Sequence, residues 1–254
     1  MAGVSRLQYS PDIKVVRVMC TGRVDLSFIL RAFSNGTDGV FIGGCWLGEC
    51  HYITEGNYDA LNMTHLCKKI LEHLKVNPER LRLEWISASE GMRFAEVIND
   101  FYNKLNELGP LGQSEGLDRN ELKSKIETIM KLVPYIKLIK REKLDLRLEK
   151  EEEYKELYTS DEIERLFGEV ISYHIDPDKC RACMICLRKC PAEAIIGGKN
   201  LIHVIDQEKC IKCGTCFEAC PDRFGAVKKI SGEPVPPPIP EGKRALVRKS
   251  KENQ

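Results

Sequence analysis

Two cysteine runs near the carboxy terminus constrain the fold of this chain more than any other feature. Residues 176–191 read DPDKCRACMICLRKCP and residues 206–221 read DQEKCIKCGTCFEACP, so the spacing C-x2-C-x2-C-x3-C-P occurs twice. In iron–sulfur proteins of the bacterial type, such a run gives three thiolates to one cluster and its fourth cysteine to the other. The sequence therefore predicts two [4Fe–4S] clusters in this part of the chain.

The same rule assigns every cysteine of the two runs to a cluster. A zinc site or a structural cysteine cluster is the alternative, but zinc sites use four ligands arranged in C-x2-C pairs. The proline after each run ends the loop and removes an amide donor. The predicted ligands are Cys180, Cys183, Cys186 and Cys220 for cluster 1, and Cys210, Cys213, Cys216 and Cys190 for cluster 2.

Residues 172–232 resemble two-cluster bacterial ferredoxins, which implies a small α+β domain that carries electrons. A module of this size has little apolar core, so we expect the clusters to contribute to its folding. Nothing in these residues indicates a substrate site.

The composition limits the classes to which the chain can belong. Its 254 residues suffice for one large domain or two smaller ones, and its net charge of +1 argues against a nucleic-acid-binding protein. No apolar run reaches the roughly 18 residues of a membrane span, and the first residues fit neither a signal nor a transit peptide. We therefore expect a cytoplasmic protein whose twelve cysteines ligate metal and do not form disulfides.

The amino-terminal half alternates between strand and helix patterns. Strands are predicted at residues 13–19, 39–44 and 80–86. The helices between and after them include one capped by Asp25, one at residues 59–75, and one that follows a Ser87–Glu90 capping box and runs to Leu108. Three strand–helix units imply a right-handed parallel sheet, and hence an α/β domain over residues 1–110.

Three further cysteines follow the first two predicted strands. Cys20 and Cys45 come just after them, and Cys50 lies in the loop GGCWLGECHY. Sites in open parallel sheets form outside the carboxyl ends of strands, so we expect these thiols to converge. A cluster, a redox disulfide and a nucleophilic cysteine beside His51 all remain open, and the two other predicted clusters favour a cluster. Cys67, in mid-helix among apolar residues, is expected to be buried.

The stretches VMCTGRVD, GGCWLGECHYITEGNY and RLEWISASEG resemble the delta subunit of methyl-viologen-reducing [NiFe] hydrogenase over residues 3–109. The resemblance implies a flavodoxin-like domain whose [2Fe–2S] cluster passes electrons from a donor enzyme to the flavin-containing A subunit of heterodisulfide reductase. The donor in different anaerobes is a hydrogenase, a formate dehydrogenase or another oxidoreductase. Cys20, Cys45 and Cys50 match cysteines of that family, whereas Cys67 matches none.

Members of that family carry a further strand and a cysteine-rich segment ahead of the part that matches here. Without them, the sheet is expected to lack its first strand and to leave an apolar edge open. The fourth ligand of the [2Fe–2S] cluster would then be either an upstream residue or Cys67. The third alternative is that the cluster does not assemble.

Two segments outside the domains have distinctive compositions. Residues 111–171 are charged and helical in pattern, with Pro134 interrupting an apolar stripe, and are predicted to be a linker or a docking surface. Residues 233–254 form a proline-rich, basic tail. The tail is expected to be a solvated terminus, to wrap a partner, or to add an edge strand through RALVRK.

These observations predict an iron–sulfur electron-transfer subunit of a flavin-based, electron-bifurcating oxidoreductase complex. We expect it to be a non-catalytic subunit without a flavin of its own, because no G-x-G-x-x-G follows a strand. One alternative is a thiol-based reductase with Cys45 or Cys50 as nucleophile, fed by the ferredoxin module. The other is a free ferredoxin-like carrier with a structural amino-terminal domain.

Overall fold

The computed structural model describes residues 7–53, 55–148, 150–168, 170–231 and 233–246. The chain divides into two compact units, Met1–Glu164 and Arg165–Gln254. In its described part, no helix is both long enough and apolar enough to cross a membrane.

The first unit contains two strands and most of the helices of the chain. In chain order, its elements are α1 (Leu26–Ser34), β1 (Val40–Gly44), α2 (Asn57–His73), β2 (Leu81–Trp85), α3 (Gly91–Leu108), α4 (Arg119–Ile139), α5 (Arg141–Leu144) and α6 (Glu151–Glu156); α7 (Ser160–Gly168) begins in this unit and ends in the second.

Strands β1 and β2 form a parallel pair, with Val40 opposite Leu81 and Gly44 opposite Trp85. Helix α2 is the crossover between them, as parallel strands require. Asp25 caps α1 as predicted, because its side chain accepts a hydrogen bond from the backbone N–H of Ser27 at 2.9 Å. The predicted α/β fold class is thus confirmed for this unit.

The strand predicted at residues 13–19 is wrong. These residues form no strand, and Val15, Val16 and Met19 are 73%, 84% and 90% exposed. The apolar alternation is present, but a strand also needs a neighbour that pairs with its N–H and C=O groups. The apolar pattern alone therefore predicted a strand where the structure has none.

Helix α3 begins at Gly91, later than the predicted cap at Ser87. The Glu90 carboxylate accepts hydrogen bonds from the Ser87 backbone N–H at 2.6 Å and from Trp46 Nε1 at 2.8 Å. One half of the predicted capping box is therefore present, but it closes a turn ahead of the helix.

The helices after residue 110 belong largely to the first unit. Helix α4 continues through Pro134 and packs on α1, while α5 and α6 pack on α2. The buried Asn62 of α2 donates to the backbone carbonyl of Lys143 at 2.7 Å and accepts from the Tyr158 hydroxyl at 2.6 Å. These contacts attach the charged helices to the sheet-bearing part of the unit.

The second unit consists of two short antiparallel strand pairs and two short helices. Strand β3 (Ser172–Ile175) pairs with β6 (Val227–Ile230), and β4 (Ile195–Gly198) pairs with β5 (Leu201–Ile205). Helices α8 (Ile185–Lys189) and α9 (Thr215–Glu218) each follow one cysteine loop. This is the small α+β unit that the sequence predicts.

The described part of the tail adds to the edge of β5. The backbone N–H of Ile202 donates to Arg244 at 2.7 Å, and that of Leu246 donates to Asn200 at 2.9 Å. Of the three alternatives for RALVRK, residues 244–246 thus form an edge bridge within this chain, whereas residues 247–254 lie outside the described residues.

A buried ion pair joins the start of β2 to the chain that follows α3. Arg80 is fully buried; its Nε donates to Glu115 at 2.7 Å, and its Nη1 donates to the carbonyls of Asp38 and Gly109 at 3.0 and 2.9 Å. Burial raises the pKa of Glu115, but hydrogen bonds, first from Arg80, outweigh it and lower the pKa to about 2.

Glu115→Gln is expected to flatten the acid dependence of the first unit's stability. Because folding lowers the pKa of Glu115 from 4.5, the ion pair stabilises the fold above about pH 4.5, and this contribution is lost as the pH falls towards 2. At about 1.4 kcal/mol per pKa unit, it is on the order of 1 to 3 kcal/mol. Urea unfolding at several pH values, followed by the fluorescence of Trp46 and Trp85, measures it. Glu107→Gln, at an exposed residue, is the control, and an equal effect there would contradict the prediction.

Candidate metal centres

Three cysteine sulfurs meet at the carboxyl end of β1. Cys45 directly follows β1, Cys50 lies in the next loop, and Cys20 precedes a 3-10 turn at Thr21–Arg23. The sulfurs of Cys20 and Cys50 are 3.8 Å apart, and the thiols of Cys45 and Cys50 lie close enough that each shifts the pKa of the other. The structure thus brings together the three thiols that follow the predicted strand ends.

Cys50 is the electrostatic centre of this group. Burial raises the pKa of its thiol, but the backbone N–H groups of Tyr52 and Asn57 and the two neighbouring thiols outweigh that effect and lower the pKa. Burial and the proximity of Cys50 raise the pKa of Cys20 and of Cys45. One thiolate is therefore stabilised by backbone dipoles, while its neighbours hold their protons in the absence of a metal.

The start of α2 forms one wall of the site. Gly56 has a φ of +61°, and a Cβ there would lie 2.4 Å from the Cys50 sulfur and 3.4 Å from the Cys20 sulfur. Asn57 is fully buried, and its Nδ2 donates to the carbonyls of Cys45 and Trp46 at 2.9 and 2.6 Å. A glycine is required because any side chain would occupy the space at the sulfurs, and the asparagine holds the cysteine loop in place.

Sequence reasoning missed the roles of Gly56 and Asn57. The signal available was the GNY triplet at the start of a helix, since glycine and asparagine are both favoured at helix starts. That signal reports only the cap and not the contacts with the loop, which depend on the tertiary fold.

The residues around the three thiols fit an iron–sulfur group. Thiolates are soft ligands, of the kind that iron–sulfur clusters require. Two buried polar atoms here, Thr21 Oγ1 and Asn57 Oδ1, have no hydrogen-bond partner in the described structure. A polar atom left unpaired costs about 1–3 kcal/mol. The Thr21 hydroxyl can donate to a cluster sulfur, whereas Asn57 Oδ1 only accepts and gains nothing from such a group. When bound, such a group would supply one-electron transfer.

Cys67 and His51 do not join the three thiols. Cys67 is completely buried in α2, and burial raises the pKa of its thiol while Lys68 lowers it; none of the three site thiols affects it. His51 is exposed and packs edge-on against Tyr52, with ring centroids 5.3 Å apart. The structure therefore gives Cys67 the buried position expected of a small apolar residue.

The cysteines predicted to bind cluster 2 line one cavity of the second unit. This cavity is closed by apolar side chains, among them Ile195 and Ile205, and by Tyr173. Burial raises the pKa of Cys216 to about 12, and neighbouring thiols on both runs add to the effect. The four predicted ligands in the cavity wall are Cys190, Cys210, Cys213 and Cys216.

The cysteines predicted to bind cluster 1 lie around Cys186. Burial raises its pKa to about 11, with further contributions from Cys180, Cys183 and Cys220. Cys220 belongs to the second run, so thiols of both runs act on Cys186. Thiols with raised pKa values become good ligands only once a metal displaces the proton.

The backbone of the two loops repeats along with the sequence. Ala182 and Lys212, just before the second cysteine of each run, have φ values of +50° and +56°. Met184 and Gly214, just after it, have φ values of +65° and +81°. Such left-handed conformations are costly for residues other than glycine, so their recurrence marks a loop shape that the site requires.

No three Cys, His, Asp or Glu side chains of the described residues converge closely enough to hold a single metal ion. In a [4Fe–4S] cluster, four cysteines ligate one multi-atom group, with each thiolate on a different iron.

Four-thiol loops in a small α+β unit, in the same chain as a parallel-strand unit with three convergent thiols, define an iron–sulfur protein of the redox type. Comparison with known families agrees. Residues 1–109 match the family described as methyl-viologen-reducing hydrogenase, delta subunit, and residues 179–224 match the 4Fe-4S dicluster domain. The chain belongs to the methyl-viologen-reducing hydrogenase delta subunit family, which confirms the resemblance seen in the sequence.

Three relatives illustrate where this family domain occurs. The iron-sulfur D subunit of the F420-non-reducing hydrogenase of Archaeoglobus profundus is 56% identical over 110 residues, which cover 43% of this chain and 80% of that protein. The vhc iron-sulfur D subunit of the F420-non-reducing hydrogenase of Methanococcus voltae is 50% identical over 109 residues, 43% of this chain and 75% of that protein. The A subunit of the ferredoxin/F(420)H(2)-dependent CoB-CoM heterodisulfide reductase of Methanosarcina acetivorans is 45% identical over 112 residues, 44% of this chain but 14% of that protein.

Paired substitutions are expected to show that each run lends its last cysteine to the other cluster. Cys190→Ser should remove cluster 2, lowering the iron content by about four atoms per chain. Adding Cys210→Ser should cost no further iron, because both residues serve the same cluster, whereas adding Cys180→Ser should remove the second cluster as well. Iron analysis and EPR of anaerobically purified protein measure this. If instead Cys180→Ser cost no further iron and Cys210→Ser removed the second cluster, Cys190 would belong to the cluster of its own run.

Proposed function

We propose that this chain is an iron–sulfur electron-transfer subunit between a donor oxidoreductase and a flavin subunit of the heterodisulfide reductase type. The donor would be a hydrogenase, a formate dehydrogenase or a similar enzyme, and the complex would be a cytoplasmic, electron-bifurcating one of an anaerobe. The observation that carries the proposal is that one chain joins the domain of the hydrogenase delta subunit family to a 4Fe-4S dicluster domain.

The relatives support a position between these two kinds of enzyme. The same domain occurs in proteins named as hydrogenase subunits and within a protein named as the A subunit of a heterodisulfide reductase. A domain that occurs in both kinds of enzyme is suited to transfer electrons between the two. In this chain we therefore expect the first unit to face the flavin subunit or the donor.

The three thiols of the first unit are proposed to hold a [2Fe–2S] cluster, with Cys20, Cys45 and Cys50 as ligands. Their convergence, the lowered pKa of Cys50 and the bare Gly56 wall support this assignment. Cys67 is set apart from them, so the fourth ligand would come from elsewhere than Cys67.

The carboxy-terminal part, residues 172–232, is proposed to hold two [4Fe–4S] clusters with the crossed ligands. Two clusters in one small unit would provide two redox centres, each of which accepts and donates one electron. The domain division proposed is residues 1–110 for the hydrogenase-type α/β domain and 111–171 for a helical connection packed largely on it, with a tail at 233–254. This arrangement supplies a path for electrons, and the chain is proposed to be non-catalytic.

Thiol chemistry at Cys50 is the competing function. Its lowered pKa gives it thiolate character, which a nucleophile also needs. The two functions differ in whether the thiol is free. A ligated Cys50 resists alkylation in the purified protein and reacts after the iron is chelated, whereas a nucleophile reacts in both states.

Cys45→Ser is expected to remove the [2Fe–2S] cluster alone. Two [4Fe–4S] clusters and one [2Fe–2S] cluster amount to about ten iron atoms per chain, so the variant should retain about eight. The binuclear EPR signal should disappear while the signals of the other clusters stay. Cys67→Ser, at the cysteine outside the site, is the matched control and should keep all three. A wild-type protein with about eight iron atoms per chain and no binuclear EPR signal would contradict this assignment.

The relay itself is tested with the complex purified without oxygen through a tag on this chain. We expect a donor oxidoreductase and a flavin-containing subunit to co-purify, and the donor's substrate to reduce that flavin. The complex with the Cys190→Ser variant should still assemble but reduce the flavin more slowly, because one cluster of the electron-transfer path is lost. A fully competent monomer without partners would instead support the free-carrier alternative.

A further inference from the structure

A buried histidine lies against one of the predicted cluster 1 ligands. His203 is on β5 and is 1% exposed, and its Nδ1 is 3.4 Å from the sulfur of Cys186. Both groups are buried, so water does not compete for this contact. Neither the ligand spacing nor the fold of the unit requires a histidine at this position.

The direction of the hydrogen bond follows from the state of the thiol. A cysteine that ligates iron is a thiolate and has no proton to donate. Donation to the Cys186 sulfur therefore requires the tautomer with its proton on Nδ1 of His203, and Nε2 has no hydrogen-bond partner in the described structure. Hydrogen bonds to a charged acceptor in a buried place are among the stronger ones.

The neighbouring strand holds the imidazole ring in this position. The pairing of β4 and β5 shifts register between Ile196 and Gly198, at the residue that faces the ring. A Cβ at Gly197 would lie 2.0 Å from Cδ2 of His203. The ring thus occupies the space that a side chain at residue 197 would fill, and it has little room to turn away from the sulfur.

The internal repeat shows that this donor belongs to one half only. Aligning ISYHIDPDKC with LIHVIDQEKC places Tyr173 at the position of His203. The two halves therefore share their ligand spacing but differ in the aromatic residue beside the cysteines. Tyr173 lines the cluster 2 cavity and provides the matched control.

We propose that His203 is a positioning residue for cluster 1, which raises the reduction potential of that cluster through its hydrogen bond to Cys186. Reduction adds negative charge to the cluster and its thiolates, and a donor at a ligand sulfur stabilises the added charge. Hydrogen bonds to the sulfurs are one of the determinants of iron–sulfur potentials. The inference rests on the proposed function, since it requires cluster 1 with Cys186 as a ligand.

The test is a redox titration of the full chain, purified without oxygen and followed by EPR. His203→Phe keeps an aromatic ring but removes the donor, so the midpoint potential of one [4Fe–4S] cluster should become more negative while the other stays. His203→Asn returns an N–H close to the position of Nδ1 and should recover part of the shift. Gly197→Ala should move the ring and shift the same midpoint in the same direction. Tyr173→Phe should leave that midpoint unchanged.

A spectroscopic signature separates this role from a structural one. In protein labelled with 15N-histidine, pulsed EPR of the reduced wild type should show a nitrogen coupling to one cluster, and the coupling should be lost in His203→Asn. This measurement needs only that the wild type and the conservative variant fold. Its absence in the wild type overturns the inference even if His203→Phe fails to assemble its clusters.

The outcomes also separate this inference from the proposed function. A wild type without two [4Fe–4S] signals overturns the cluster assignment itself. Two such signals, with both midpoints unshifted in His203→Phe, leave the assignment intact and overturn the role of His203 alone.

Discussion

Thiolate ligation is the constraint on which the second unit depends. Its core consists of a few side chains such as Tyr173, Ile175 and Val227, together with the buried cysteines Cys180, Cys186 and Cys216. Burial raises the pKa of Cys186 and of Cys216, so without metal these core thiols hold their protons. A unit of this size has a small apolar core, and in small metal-binding domains the binding free energy contributes directly to folding.

The first unit positions its thiols by a different means. Its parallel strand pair and crossover helix form a conventional apolar core, and the cysteines sit on the loops at one end of that framework. The loop is held by Asn57 through two hydrogen bonds, and Gly56 leaves the space beside the sulfurs free. Here the site lies on loops at one end of the apolar core, whereas in the second unit several buried cysteines are themselves part of the core.

The second unit could be predicted because its ligand spacing is local. Prediction of the first unit was limited because strand pairing joins residues that are distant in the sequence. A run such as C-x2-C-x2-C-x3-C determines its own loop, because three ligands within seven residues leave few backbone shapes. Residues 13–19 have an apolar pattern typical of a strand, yet they remain unpaired because a strand depends on a distant partner. The start of α3 at Gly91 was mispredicted for a similar reason, since Trp46 from another loop shares the Glu90 carboxylate. The cap of Asp25 was predictable because its partner is two residues away.

The two cysteine loops show which positions ligation dictates and which it leaves open. Cysteines, the following proline and the left-handed residues recur in both halves, even where the left-handed residue is Met184 instead of glycine. The remaining positions have diverged: Arg188 stands where the other run has Glu218, and His203 where the other half has Tyr173. Charges and hydrogen-bond donors near a cluster set its potential, whereas the ligands set whether the cluster forms. A repeat that keeps its cysteines and varies their surroundings therefore places its two sets of thiols in unequal environments.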